Sequence, residues 1–224
     1  MQERYVTSER GKTYYWISSN QGHASRTLVF LPGLTADHRL FDLQVKAFAK
    51  DYVIIVWDAP AHGKSRPYNG FSYANLADEL RRILEVESIG QAVLVGQSAG
   101  GFVAQSFIKK HPDMVEGFLG IGTCPYGPVY YSKWDFWWLK QIEWMAHLFP
   151  DTTLRTAMAK MCCITARGQR NMLDMLRTYD KDELCHLMYL GFTGLIEEVC
   201  HLEIPCPVWL LVGERDKTGK VRQY

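Results

Sequence analysis

The pentapeptide Gly96-Gln97-Ser98-Ala99-Gly100 has the spacing G-x-S-x-G. It stands between an apolar run, Ala92 to Val95, and a segment of helical periodicity, Ala99 to Lys110. A strand that reverses sharply into a helix presents one side chain at its apex, and the residues two before and two after must be small. Gly96 and Gly100 meet that demand, and Gly101 permits close helix–strand packing. Such a turn supports nucleophilic attack by a serine hydroxyl. The helix start behind Ser98 offers free amides and the positive end of a dipole to a developing oxyanion. The plain alternative is a glycine-rich turn without chemistry. A second candidate, Asp216, follows the apolar run Pro207 to Val212. That is the C-terminal end of a strand, where open α/β sheets carry their sites.

These residues need elements to position them. Tyr5-Val6-Thr7 and Thr13 to Ile17 flank Glu9-Arg10-Gly11-Lys12 and read as a hairpin. Thr27 to Leu31, Tyr52 to Trp57, Ala92 to Val95 and Val115 to Ile121 are short, continuously apolar runs, as expected of strands covered on both faces. Between them lie helical stripes: Leu40 to Phe48; Leu76, Leu80, Ile83 and Leu84 after a Ser72 N-cap; and Ala99 to Lys110, stopped at His111-Pro112. Alternation of this kind implies a parallel sheet with helices on both faces. The pattern breaks at Thr123-Cys124-Pro125-Tyr126-Gly127-Pro128, after which only helical periodicity is found until Pro207. The expected organisation is a core of residues 1–124 and 204–224 with an inserted helical cap, 125–203.

In order and content, four motifs resemble those of the α/β-hydrolase superfamily, in particular its capped single-domain members. They are Leu31-Pro32-Gly33-Leu34, Asp58-Ala59-Pro60-Ala61-His62-Gly63-Lys64-Ser65, Gly96 to Gly100, and Gly213-Glu214-Arg215-Asp216. The resemblance implies an α/β-hydrolase fold, a mostly parallel sheet with helices on both faces. It implies Ser98 as nucleophile, the backbone amides of Leu34 and Ala99 as oxyanion hole, and Asp216 as the acid that orients a histidine. It makes Asp58 a loop anchor and His62-Gly63 a structural turn. Serine at the apex sets the chain apart from dehalogenases and epoxide hydrolases of this fold, which use Asp there. The implied reaction is hydrolysis of a small ester or related acyl substrate through an acyl-enzyme at Ser98.

The base is the difficulty. The family's order is Ser, acid, His, yet only eight residues follow Asp216 and none is His; the last histidine is His201. Serine is a weak nucleophile without an adjacent base. Three explanations stand: a C-terminally truncated hydrolase, a degenerate non-hydrolytic relative, or substitution by a cap histidine such as His147, His186 or His201. The stop inside an expected helix favours truncation. The fold would then lack its last strand and helix, leaving an open sheet edge and uncovered apolar surface. A ligand-binding relative and an acyltransferase remain the alternative functions.

Trp134, Trp137, Trp138 and Trp144 fall within one helical stretch. Either they line an apolar pocket above Ser98 or they pack the cap onto the core. Trp134, Trp138 and Gln97 are therefore candidate substrate contacts. Met158, Met161, Met172, Met175 and Met188 add adaptable apolar surface. Cys185-His186, Cys200-His201 and Cys206 fit no usual zinc spacing, so no metal is expected. There is no G-x-G-x-x-G or Walker-type loop, so no cofactor is expected either. Lys plus Arg number 25 and Asp plus Glu 24, a balance that gives no electrostatic reason to expect nucleic acid or an anionic membrane. No apolar run is long enough to span a bilayer. The polar start, Met1-Gln2-Glu3-Arg4, shows no signal peptide, and six scattered cysteines suit a cytoplasmic protein.

Overall fold

A computed structural model describes residues 1–18, 26–125, 127–197, 203–216 and 221. Among them lie seven strands: β1 (Gln2–Ser8), β2 (Gly11–Ile17), β3 (Thr27–Leu31), β4 (Val53–Trp57), β5 (Ala92–Gln97), β6 (Val115–Ile121) and β7 (Val208–Leu211). They form one sheet in the order β1-β2-β4-β3-β5-β6-β7. The hairpin β1–β2 joins β4 antiparallel; the remaining pairings are parallel. The fold is that of an α/β hydrolase, as the motifs implied.

The central strands follow from their composition. All five residues of β4 are buried, which requires cover on both faces. That cover comes from α2 (Tyr73–Val86) and α3 (Ala99–Lys110) on one side. On the other, Phe41 and its partly buried neighbours pack on Phe30, Ile54 and Val56. The Ser72 hydroxyl accepts the Asn75 amide at 3.1 Å, and Leu76, Leu80, Ile83 and Leu84 are buried as their spacing required. In α3 every residue but the last two lysines is buried. The stripe from Leu40 to Phe48 is only half realised. The helix α1 (Asp42–Phe48) buries no residue, and Leu43 is exposed, because the inward contact is made by Phe41 in the short 3₁₀ turn before it.

Among the described residues five α-helices lie between β6 and β7: α4 (Lys133–Lys140), α5 (Ile142–His147), α6 (Asp151–Cys162), α7 (Ala166–Leu176) and α8 (Lys181–Glu197). Helices α5 to α8 contribute to a second core, which includes Leu154, Met172, Met175, Leu176, Leu184 and Leu187 and is joined by Ala36 from the loop after β3. Cys185 is buried there as a packing residue. The last strand is the uncovered one. Its apolar run resembles a covered strand, yet Val208, Trp209, Leu210 and Leu211 are all exposed. Strand β7 is the sheet's edge, with β6 on one side and no neighbour on the other among the described residues.

Candidate active site

Strand β5 ends at Gln97 and α3 begins at Ala99, so Ser98 is the whole connection. Its backbone sits at φ 50° and ψ −118°, a conformation that side chains other than glycine seldom adopt and that is held only where the surroundings dictate it. Two hydrogen bonds do so here: the Ser98 amide donates to Ile121 O at 2.9 Å, and the Gly101 amide donates to Ser98 O at 2.9 Å. A Cβ on Gly100 would land on the carbonyl oxygen of Leu31, which explains why the small residue is needed. The Ser98 hydroxyl is not used as a helix cap and so is available for chemistry.

The loop after β3 runs alongside. A Cβ on Gly33 would collide with the Gln97 amide oxygen and lie 3.2 Å from Ser98 Cβ. The bare backbone of this glycine therefore brings the loop against the nucleophile. The Ala36 amide donates to Gly33 O at 3.1 Å, closing a turn around Leu34. Above the turn sits α8. A Cβ on Gly191 would be 2.5 Å from Leu34 Cδ1, and Gly191 O accepts the Tyr73 hydroxyl at 2.8 Å. Helix α8 thus rests on the loop at a residue that the sequence reading did not single out.

Asp216 arrives from the far side. The Gly122 amide, one residue beyond Ile121, donates to Leu211 O at 2.8 Å. The chain then turns at Gly213, whose carbonyl accepts the Asp216 amide at 3.0 Å. The Asp216 carboxylate lies over Gly122, where a Cβ would be 3.1 Å from Oδ2. Ser98, Gln97, Gly122 and Asp216 line one cleft of about 530 Å³, a size suited to a small ligand. Its other wall is the end of α6 and the loop beyond it, Met161 to Thr165. Burial, then the neighbouring Cys163 thiol and the Asp216 carboxylate, push the Cys162 thiol above its ordinary range.

The structure thus brings Ser98, Asp216 and Gln97 to one cleft, whereas Leu34 and Ala99, next in the chain to Gly33 and Ser98, are not among its walls. It does not bring Trp134 or Trp138 to the cleft. They are 71% and 54% exposed and are absent from the cleft walls. The reason is a break at Gln141 that splits the aromatic stretch into α4 and α5, with Phe136 and Leu139 as the half-buried side of α4. Among the described residues no histidine lines the cleft. His147 faces Asp182 at 3.7 Å and His186 faces Glu143 at 3.0 Å, both at exposed positions. His201 lies outside the described residues.

Asp58 is a loop anchor, as the motif implied. It is buried and accepts from the Lys64 amide at 2.7 Å, the His38 amide at 2.9 Å and His38 Nδ1 at 2.7 Å. The His38 ring stacks on Trp16 at 3.6 Å. Asp37, His38 and Asp58 bring three potential metal-ligating atoms within 4.8 Å of one another, but Asp37 is engaged by Arg39 and Asp58 by the three donors named. His62 is buried, with Nδ1 3.0 Å from Pro60 O and Nε2 unpartnered, and burial lowers its pKa.

An open, mostly parallel sheet with a strained serine at a strand-to-helix turn and a carboxylate just after the edge strand β7 defines a class of protein. The sequence agrees: the family described as alpha/beta hydrolase fold matches residues 26–169, and the chain belongs to it. The AB hydrolase superfamily protein YisY of Bacillus subtilis is 28% identical over 109 residues, 48% of this chain and 40% of that protein. The pimeloyl-acyl-carrier-protein methyl ester esterase of Yersinia pseudotuberculosis is 25% identical over 114 residues, 51% of this chain and 42% of that protein. The matches thus span about two fifths of these curated relatives. Among solved structures, the N-acyl homoserine lactonase AidH (an E219G mutant complexed with N-hexanoyl homoserine) superposes with a TM-score of 0.74 at 21% identity. That superposition covers 96% of this chain and 78% of the lactonase.

Proposed function

We propose that this chain carries the nucleophile, oxyanion hole and acid of a serine hydrolase acting on a small ester or related acyl substrate. The observation that carries the reading is the Ser98 turn, its φ of 50° held by bonds to β6 and α3, opening on a cleft that also holds Asp216. In this reading the Ser98 hydroxyl oxygen attacks the acyl carbon. The Leu34 and Ala99 amides take up the negative charge on the carbonyl oxygen, and the alcohol leaves with a proton. An acyl-enzyme at Ser98 remains for water to cleave. Asp216 orients the imidazole that moves these protons, and no described histidine lines the cleft to supply it. Gln97, packed between Gly33 and the cleft, touches the substrate. The names of the relatives, a methyl ester esterase and a lactonase, support acyl chemistry. The absence of a histidine from the described cleft walls favours a second reading, a relative that binds a small ligand without hydrolysing it. Transfer of the acyl group to an alcohol or thiol other than water is the third. Thiols outside any disulfide at Cys162, Cys163, Cys185 and Cys206 suit a cytoplasmic setting.

The test is intact mass spectrometry of the native protein before and after a fluorophosphonate. The expected result is one adduct, lost in Ser98→Ala. A 25.8 kDa native chain that gains no adduct overturns the hydrolase reading in favour of ligand binding. Partitioning of product toward an added alcohol or thiol separates transfer from hydrolysis.

A further inference from the structure

The wall of the cleft formed by the end of α6 carries two adjacent thiols that the proposed hydrolysis does not use. Cys162 and Cys163 both line the cleft, and both are outside any disulfide. Cys162 is exposed and Cys163 half-buried, so a small molecule in the cleft reaches both. Consecutive side chains often point apart; these two share one cavity because the helix ends between them. Cys162 is the last residue of α6, and Cys163 has turned to extended backbone at φ −137° and ψ 130°. That backbone is fixed on both sides. The Cys163 amide donates to Ala159 O at 3.0 Å, and its carbonyl accepts Gln169 Nε2 at 2.9 Å. Room for the sulfur comes from Gly168, where a Cβ would lie 3.2 Å from Cys163 Sγ.

What such a pair suits follows from the chemistries it disfavours. A direct disulfide usually joins Cα atoms about 4.4–6.8 Å apart, whereas neighbours across a trans peptide are held at about 3.8 Å. Oxidation by peroxide runs through the thiolate, and both thiols are pushed above their ordinary range and stay protonated. Burial is the first cause for each, and the Cys163 thiol and the Asp216 carboxylate add to it for Cys162. A structural zinc ion asks for four ligands; among the described residues no third histidine, cysteine or carboxylate joins the pair in a cluster. A trivalent arsenical with one organic group needs only two sulfurs. It bridges them through a single atom, which spares the pair the strain of a direct S–S bond. It also takes thiols as they stand. With phenylarsine oxide, two S–H bonds break, two As–S bonds form, and the oxide oxygen leaves as water with both protons. Arsenic stays trivalent, so the step needs no oxidant or reductant. We propose that Cys162 and Cys163 form a dithiol site for trivalent arsenicals in the wall of the Ser98 cleft. The proposal stands whether or not Ser98 is a nucleophile, because neither thiol takes part in that reaction.

The test titrates the native protein with phenylarsine oxide and reads the bound arsenical by intact mass spectrometry. The expected result is that wild type keeps one arsenical in an excess of the monothiol 2-mercaptoethanol and gives it up to the dithiol 2,3-dimercaptopropanol. Peptide mapping places it on the segment that holds both cysteines. C162S and C163S each lower the affinity at least about 100-fold, because the second As–S bond forms within one molecule. Each variant exchanges one sulfur for oxygen at a position open to the cleft and keeps the native melting midpoint. C206S, at a thiol outside the cleft, binds as wild type does. Three outcomes overturn the proposal. One is a wild-type protein from which the monothiol strips the arsenical as readily as the dithiol does. Another is wild-type affinity in C162S or in C163S. The third is an adduct that maps to any other cysteine.

Discussion

Ser98 is held in its uncommon conformation by neighbours that leave no room, and Gly100 is the sharpest case. Because its Cβ would fall on Leu31 O, Gly100→Ala must push α3 off β3 or unwind the turn. The expected cost exceeds about 2 kcal/mol in urea unfolding, well beyond an ordinary surface change, and fluorophosphonate labelling is lost with it. This much was legible, because a fixed spacing of small residues reports a local backbone demand. The His38–Asp58 contact was not legible. Its partners are twenty residues apart and meet only once β3 and β4 pair. Buried His62 makes a pH prediction. Its folded pKa lies below the ordinary value near 6.5, so the unfolded chain binds the extra proton first. Stability is therefore fully present above about pH 6.5 and falls as pH drops below it, by up to about 1.4 kcal/mol per pH unit. Unfolding at pH 7.5 and 5.5 measures the loss, and His62→Asn removes most of it. His111, lowered in the same direction by burial, accounts for a residue of the slope.

At the scale of elements, the sequence is most readable where one face of a segment must be apolar and the other must not. Helix α2 is the example. Its buried stripe and its cap both follow from local spacing, and Ser72→Ala is expected to cost about 1 kcal/mol, because the Asn75 amide loses its acceptor. A thermal melt of the variant checks it; an unchanged midpoint would show that water replaces the hydroxyl fully. Helix α4 is the opposite case. Three tryptophans in one arc look the same in sequence whether a protein core or something else covers them. Only the position of α4 over α8, with Phe136 and Leu139 as its inner side, decides which face is left outside. The break at Gln141 was equally hidden, since no proline or glycine marks it. Gly191 escaped notice for a related reason. A lone glycine in a helix signals close approach of something, and that something, Leu34, comes from a loop about 150 residues earlier.

At the scale of the molecule, the sheet is well closed at one end and open at the other. The hairpin β1–β2 caps the β4 side, whereas β7 has no strand beyond it among the described residues and presents four exposed apolar side chains. Beside it an apolar hollow of about 240 Å³ is lined by Phe118, Cys124, Tyr130, Val208 and Leu210. An exposed, unprotected edge of this kind is a template for pairing with another chain. The expected behaviour of the 224-residue chain is binding of an apolar dye under native conditions and light scattering that grows with concentration. Val208→Lys with Leu210→Lys places charge on that edge at positions 39% and 58% exposed. Because side chains this open contribute little to the folded state, the melting midpoint moves by less than about 1 kcal/mol equivalent. Scattering and dye fluorescence both fall. If instead the double lysine variant melts early while scattering persists, β7 is a buried strand in solution, and whatever buries it belongs to the same folded unit as the Ser98 cleft, since Leu211 and Asp216 are joined by a single turn.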